Sequence, residues 1–84
     1  MRSDEADMKS HPSERSLLEA LSSRELEILR LVAEGKTSRE IAERLAISPK
    51  TVDTYRSRLM RKIGAENLVA LVKFAIRHGV ISLE

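Results

Sequence analysis

Residues 38–57 read SREIAERLAISPKTVDTYRS. Ile41, Ala42 and Leu45 recur at helical spacing, which predicts a short helix over residues 38–45 with one apolar stripe. Thr37 precedes it as an N-cap and Glu40 stands three residues on, the pattern of a capping box. A second helix opens after Ser48, with Pro49 at the first helical position, where its missing N–H has no role. Apolar periodicity carries that helix to about Ile63, just ahead of Gly64. Only Ala46 and Ile47 separate the two, a tight turn with Ile47 as its core plug. Two short helices joined in this way form a helix-turn-helix, which lays its second helix in the major groove of duplex DNA.

The second helix divides cleanly by face. At about 100° per residue, Val52, Tyr55, Leu59 and Ile63 line up and are expected in the core. Lys50, Asp53, Thr54, Ser57 and Arg61 cluster opposite them, with Arg58 at the edge and Arg56 on the other flank. Any surface helix has a polar outer face. Here small groups lie near its middle and cations lie around and beyond them. Small groups permit close approach to base edges, and long cations reach phosphates. Thr37, Ser38, Ser48 and Thr51 open the two helices with hydroxyls. Capping explains these residues, and a helix N-terminus, with its unpaired N–H groups and positive dipole end, also suits a phosphate.

Working outward, a helix is expected over about residues 23–34. Ser22 is its N-cap, Glu25 its capping-box partner, and Leu21 and Leu26 a hydrophobic staple. Leu26, Ile28, Leu29, Val32 and Ala33 supply its apolar surface, and Gly35 ends it. A last helix follows Asn67, covers about residues 68–78 and stops at Gly79. Residues 16–21 form at most a short helix docked on this core. Residues 1–15, MRSDEADMKSHPSER, are polar and read as a flexible linker or tail. No segment alternates as a strand would. The expected fold is therefore all-α: a compact four-helix bundle over residues 16–84 containing a helix-turn-helix at 38–57.

Composition narrows the function. The 84 residues suffice for one small domain. There is no cysteine, hence no disulfide framework, thiolate metal site or cysteine nucleophile. No apolar run approaches the roughly 18 residues of a membrane helix, and the N-terminus lacks the apolar core of a signal peptide. A cytoplasmic location suits these features. The two histidines, His11 and His78, lie in the tail and at a helix end, and no nucleophile–base–acid constellation exists, so an enzyme is the least favoured class. No metal or cofactor is expected. Net charge is only +2, but its distribution is uneven. Residues 1–35 carry five basic against eight acidic side chains, whereas residues 36–62 carry eight against three. The basic block coincides with the helix-turn-helix.

Residues 21–81 resemble the LuxR/FixJ/NarL-type (GerE-like) DNA-binding domain of bacterial regulators. The motifs are Leu21-Ser22-Ser23-Arg24-Glu25, Leu31 followed by Gly35, Glu40-Ile41-Ala42, Ile47-Ser48 followed by Thr51-Val52, and Lys62-Ile63-Gly64. The resemblance implies a four-helix domain whose third helix reads the major groove, and dimerisation, often through the fourth. Carried over by position, it places base reading at Lys50, Asp53, Thr54 and Ser57. Phosphate contact falls to Ser38, Arg39, Ser48, Thr51, Arg56, Arg58 and Lys62, to which the outward Arg61 is added. Two positions depart from the family pattern. Asp53 stands where many members have a cation or glutamate; it could accept from cytosine N4 but would repel phosphate. Ala46 occupies a turn position where Gly, Asn or Asp is common, at a cost of about 1 kcal/mol if its backbone is left-handed.

The fourth helix is apolar over most of its circumference, so it is either deeply buried or covers two surfaces. A homodimer contact through Val69, Val72, Lys73 and Ile76 stands beside a simple core role. The leading expectation is a sequence-specific regulator that binds double-stranded promoter half-sites, with RNA polymerase as a further candidate partner. The acidic tail resembles an interdomain linker, which favours the output domain of a longer response regulator over a small stand-alone member. The promoter-binding segment of a sigma factor and a protein-interaction module that has lost DNA binding are the competing readings.

Overall fold

The computed structural model describes residues 14–82. They form five helices: α1 (Glu14–Glu19), α2 (Ser23–Ala33), α3 (Ser38–Leu45), α4 (Pro49–Ile63) and α5 (Leu68–Arg77). Four of them are the expected ones, with α2 and α5 each one residue shorter at the C-terminus. The short α1 is the docked segment, with Leu17, Leu18 and Leu21 packed against the core. It begins at Glu14, two residues ahead of the expected domain boundary. The rest of the expected tail, residues 1–13, lies outside the described residues. No described helix is long and apolar enough to cross a membrane.

Each helix start follows from its cap. Ser22 Oγ accepts from Glu25 N at 3.1 Å while Glu25 Oε1 accepts from Ser22 N at 2.9 Å. Thr37 and Glu40 repeat the arrangement at α3. Ser48 caps α4 through Thr51 N, and Asn67 caps α5 through Ala70 N. Each capped group satisfies a backbone donor that would otherwise lack a partner.

α2 packs against α3, α4 and α5. Its Ile28 and Leu29 are fully buried together with Val52 and Leu59 of α4 and Leu71 and Ala75 of α5. Two details differ from the sequence reading. Leu26, expected on the apolar surface, is 39% exposed, and Leu31, outside the expected stripe, is 1% exposed. The reason is that α2 has neighbours on several sides. Leu31 turns toward Ile41 of α3, whereas Leu26 faces a surface groove beside Leu18 and Val80.

Four helix ends close alike, with an N–H bonded to the carbonyl five residues back: Lys36 to Leu31, Ile47 to Ala42, Ala65 to Met60 and Val80 to Ala75. This closure needs a left-handed residue. Gly35, Gly64 and Gly79 supply it at three ends, but α3 uses Ala46, at φ 59°, ψ 43°. Its Cβ meets the strain that glycine avoids. Replacement Ala46→Gly should therefore stabilise the domain by roughly 0.5–1 kcal/mol, the relief of strain being offset in part by the freer unfolded chain. Urea unfolding would measure it. An unchanged or lower midpoint would show that the turn carries no strain.

Candidate nucleic-acid interface

α4 is placed by its inner face. Val52 and Leu59 are 0% exposed, Ile63 is buried, and Tyr55 packs half-buried against the same cluster. The outer face then has no choice of direction. Lys50, Thr51, Asp53, Thr54, Ser57, Arg58 and Arg61 are all exposed, as the helical wheel requires. Arg39 and Ser48 are exposed at the neighbouring helix starts. Arg56 is half-buried and lines a surface recess with Lys36, Thr37, Ser38 and Leu68. Lys36 was not among the expected contacts. It lies in the basic block, but only the fold brings the end of the α2–α3 loop beside α4.

The hydroxyls on this surface are already directed. Ser48 Oγ lies 2.9 Å from Thr51 Oγ1. Thr54 Oγ1 donates to the Lys50 carbonyl at 3.1 Å, leaving its lone pairs and methyl group for a ligand. Ser38 Oγ donates to Asp53 Oδ1 at 2.7 Å, which joins α3 to the outer face of α4. The Thr37 backbone N–H, bonded to Glu40, holds that carboxyl below its ordinary range.

Lys62 has a different employment from the phosphate contact expected of it. Its Nζ lies 2.9 Å from Glu25 Oε1 and donates to the Ala20 carbonyl at 3.4 Å. Glu25 is buried at 4% exposure. The Lys62 ammonium, followed by the Ser22 backbone N–H, lowers the Glu25 pKa against the opposing effect of burial. The Lys-Ile-Gly motif carried the signal, but its partner lay 37 residues away.

On α5, Leu71, Phe74 and Ala75 are buried, and Val72 packs against the core while remaining half-exposed. Val69 is 62% exposed, Lys73 is exposed and Ile76 is half-buried. The helix thus has one buried face and one open face. His78 caps its C-terminus, its ring 4.5 Å from that of Phe74.

Residues 19–75 match the model of the luxR family of bacterial regulatory proteins. The chain belongs to this family, whose domain binds DNA in transcription regulators and is not an enzyme. It is similar to a candidate transcriptional regulator of Pseudomonas aeruginosa, 45% identical over 73 residues, which are 87% of this chain and 35% of that protein. It is also similar to the response regulatory protein YgeK of Escherichia coli K12, 46% identical over 63 residues (75% of this chain, 43% of YgeK). The DNA-binding transcriptional activator EvgA of the same organism is 41% identical over 68 residues (81% of this chain, 33% of EvgA). The chain thus spans less than half the length of each of these relatives. No solved structure matches it significantly.

Because the folded-state pKa of Glu25 lies below its ordinary value of 4.5, ionised Glu25 stabilises the domain fully above that value. The contribution is lost as pH falls through the lowered value. Glu25→Gln should flatten this acid limb of the stability curve. Lys62→Ala should cost about 1–3 kcal/mol, since it leaves a buried carboxylate with one partner fewer, even after allowing for the solvent around Lys62. Urea midpoints from pH 3 to 7 check both. An acid limb unchanged by Glu25→Gln would exclude the carboxylate as its source.

Proposed function

We propose that this domain is the sequence-specific output unit of a bacterial two-component response regulator, with α4 in the major groove of promoter half-sites. The outer face of α4 carries the reading: small polar groups and cations exposed together on a helix whose opposite face is locked into the core. Lys50, Thr54 and Ser57 stand where base edges would lie, together with Asp53. Arg39, Ser48, Thr51, Arg56, Arg58 and Arg61 surround them at the reach of phosphates. The family match and the name of YgeK support the response-regulator assignment. Such a unit works in the cytoplasm, where promoter DNA and RNA polymerase are its partners.

One recognition helix covers too few base pairs to single out a promoter. Two domains on adjacent half-sites, about 34 Å apart, remove that limit. Val69, Lys73 and Ile76 on the open face of α5 offer the contact surface for a homodimer, with Val72 at its inner margin. The surface is small, so dimerisation accompanies DNA binding.

Duplex binding should weaken with salt, by roughly 0.9 in the log–log slope for each phosphate neutralised. Fluorescence anisotropy across a salt series tests this, and affinity independent of salt would remove the DNA reading. Lys50→Ala and Thr54→Ala should cost about 1–3 kcal/mol on the preferred site and relax sequence choice, whereas Arg58→Ala should weaken all sequences alike.

Val69→Glu should leave a folded domain that no longer fills paired half-sites cooperatively. Val72→Glu should in addition lower stability, because Val72 touches the core. Circular dichroism beside a titration of paired and single sites separates these effects. Cooperative binding by folded Val69→Glu protein would exclude this face of α5 as the dimer contact.

A further inference from the structure

Ser38 and Asp53 belong to different helices and lie 15 residues apart in sequence, yet the half-buried Ser38 and the exposed Asp53 share a 2.7 Å hydrogen bond. A serine hydroxyl has one proton. Ser38 commits it to Asp53 and presents only lone pairs outward, which a phosphate oxygen repels. Ser38 is therefore poorly suited to the phosphate contact its position at the start of α3 suggests.

The effect on Asp53 is the converse. An exposed aspartate ordinarily moves among rotamers. A short bond to an ionised acceptor is among the stronger hydrogen bonds, and this one holds one carboxylate oxygen while leaving the other open to accept. Asp53 lies on the outer face of α4, one turn after Lys50, whose ammonium offsets part of its repulsion from the DNA backbone. In the major groove guanine presents only acceptors, and thymine an acceptor and a methyl group. The adenine amino group lies beside the N7 acceptor. The cytosine N4 amino group is the donor without a competing acceptor on its own base.

We propose that Ser38 is a positioning residue for Asp53, and that the carboxylate it pins selects a cytosine at one position of the half-site. The proposal rests on the DNA-binding reading above.

Selection of bound sequences from a random duplex pool, run at one salt concentration, tests it with the unmodified domain, Ser38→Ala, Ser38→Thr and Asp53→Asn. The unmodified domain should enrich cytosine at one position. Ser38→Ala should reduce that enrichment about 3- to 10-fold while leaving the other positions unchanged. Ser38→Thr, which keeps the hydroxyl, should restore it. Asp53→Asn should abolish the cytosine preference at the same position. If Ser38→Ala instead weakens all sequences equally, Ser38 is a phosphate contact and the proposal fails. It fails equally if the sequence profile is unmoved by Ser38→Ala in a domain that still binds duplex with salt sensitivity. Absence of any duplex binding by the unmodified domain would remove the DNA-binding reading together with it.

Discussion

Glu25 is the one charged residue buried among those described, and the arrangement of the helices turns on how its charge is satisfied. A carboxylate removed from water is costly unless it is both paired and hydrogen-bonded. Glu25 obtains a backbone N–H from Ser22 within its own capping box and the ammonium of Lys62 from the last turn of α4. The same ammonium reaches the carbonyl of Ala20, just past α1. One side-chain pair therefore gathers the end of α1, the start of α2 and the end of α4. The pinned end of α4 is the end away from Lys50, so the first turns of the helix are left to meet a ligand.

The turn between α3 and α4 completes that placement from the other side. The Ile47 N–H returns to the Ala42 carbonyl, Ala46 takes the left-handed conformation, and Ile47 packs against the core. The chain accepts strain at Ala46 that it avoids at its other helix ends. The crossing of the two helices is thereby held at both sides: by apolar packing through Ile41 and Val52 within, and by Ser38 and Asp53 on the surface.

Charge and packing are segregated in the same geometry. Apolar groups of α2, α4 and α5 meet at the centre, and the basic block from Lys36 to Lys62 is left on the outside of the helix-turn-helix. Within that block Lys62 pairs with Glu25, and Arg56 is half-buried in its recess. A polyanion approaching the domain would meet the cations that remain, arranged around hydroxyls whose directions the fold has already set. On α5 the arc that exceeded one packing face is divided between a buried side at Leu71, Phe74 and Ala75 and an open one at Val69.

Local order was legible in the sequence because its causes are local. Capping boxes at Ser22 and Thr37, Pro49 after Ser48, and glycines just past three helices act within a few residues, and they placed α2 through α5 to within one residue. The inner and outer faces of α4 follow from helical periodicity alone, so the exposure of Lys50, Asp53, Thr54, Ser57, Arg58 and Arg61 was legible as well. The remaining features depend on which surfaces meet. Burial of Leu31 and exposure of Leu26 were decided by the neighbours that α2 acquires. The pairing of Lys62 with Glu25, the bond from Ser38 to Asp53, and the recess that Lys36 and Arg56 both line bring together residues far apart in the chain. Periodicity reports which way a side chain points from its own helix, whereas the group it finds there is set by tertiary packing.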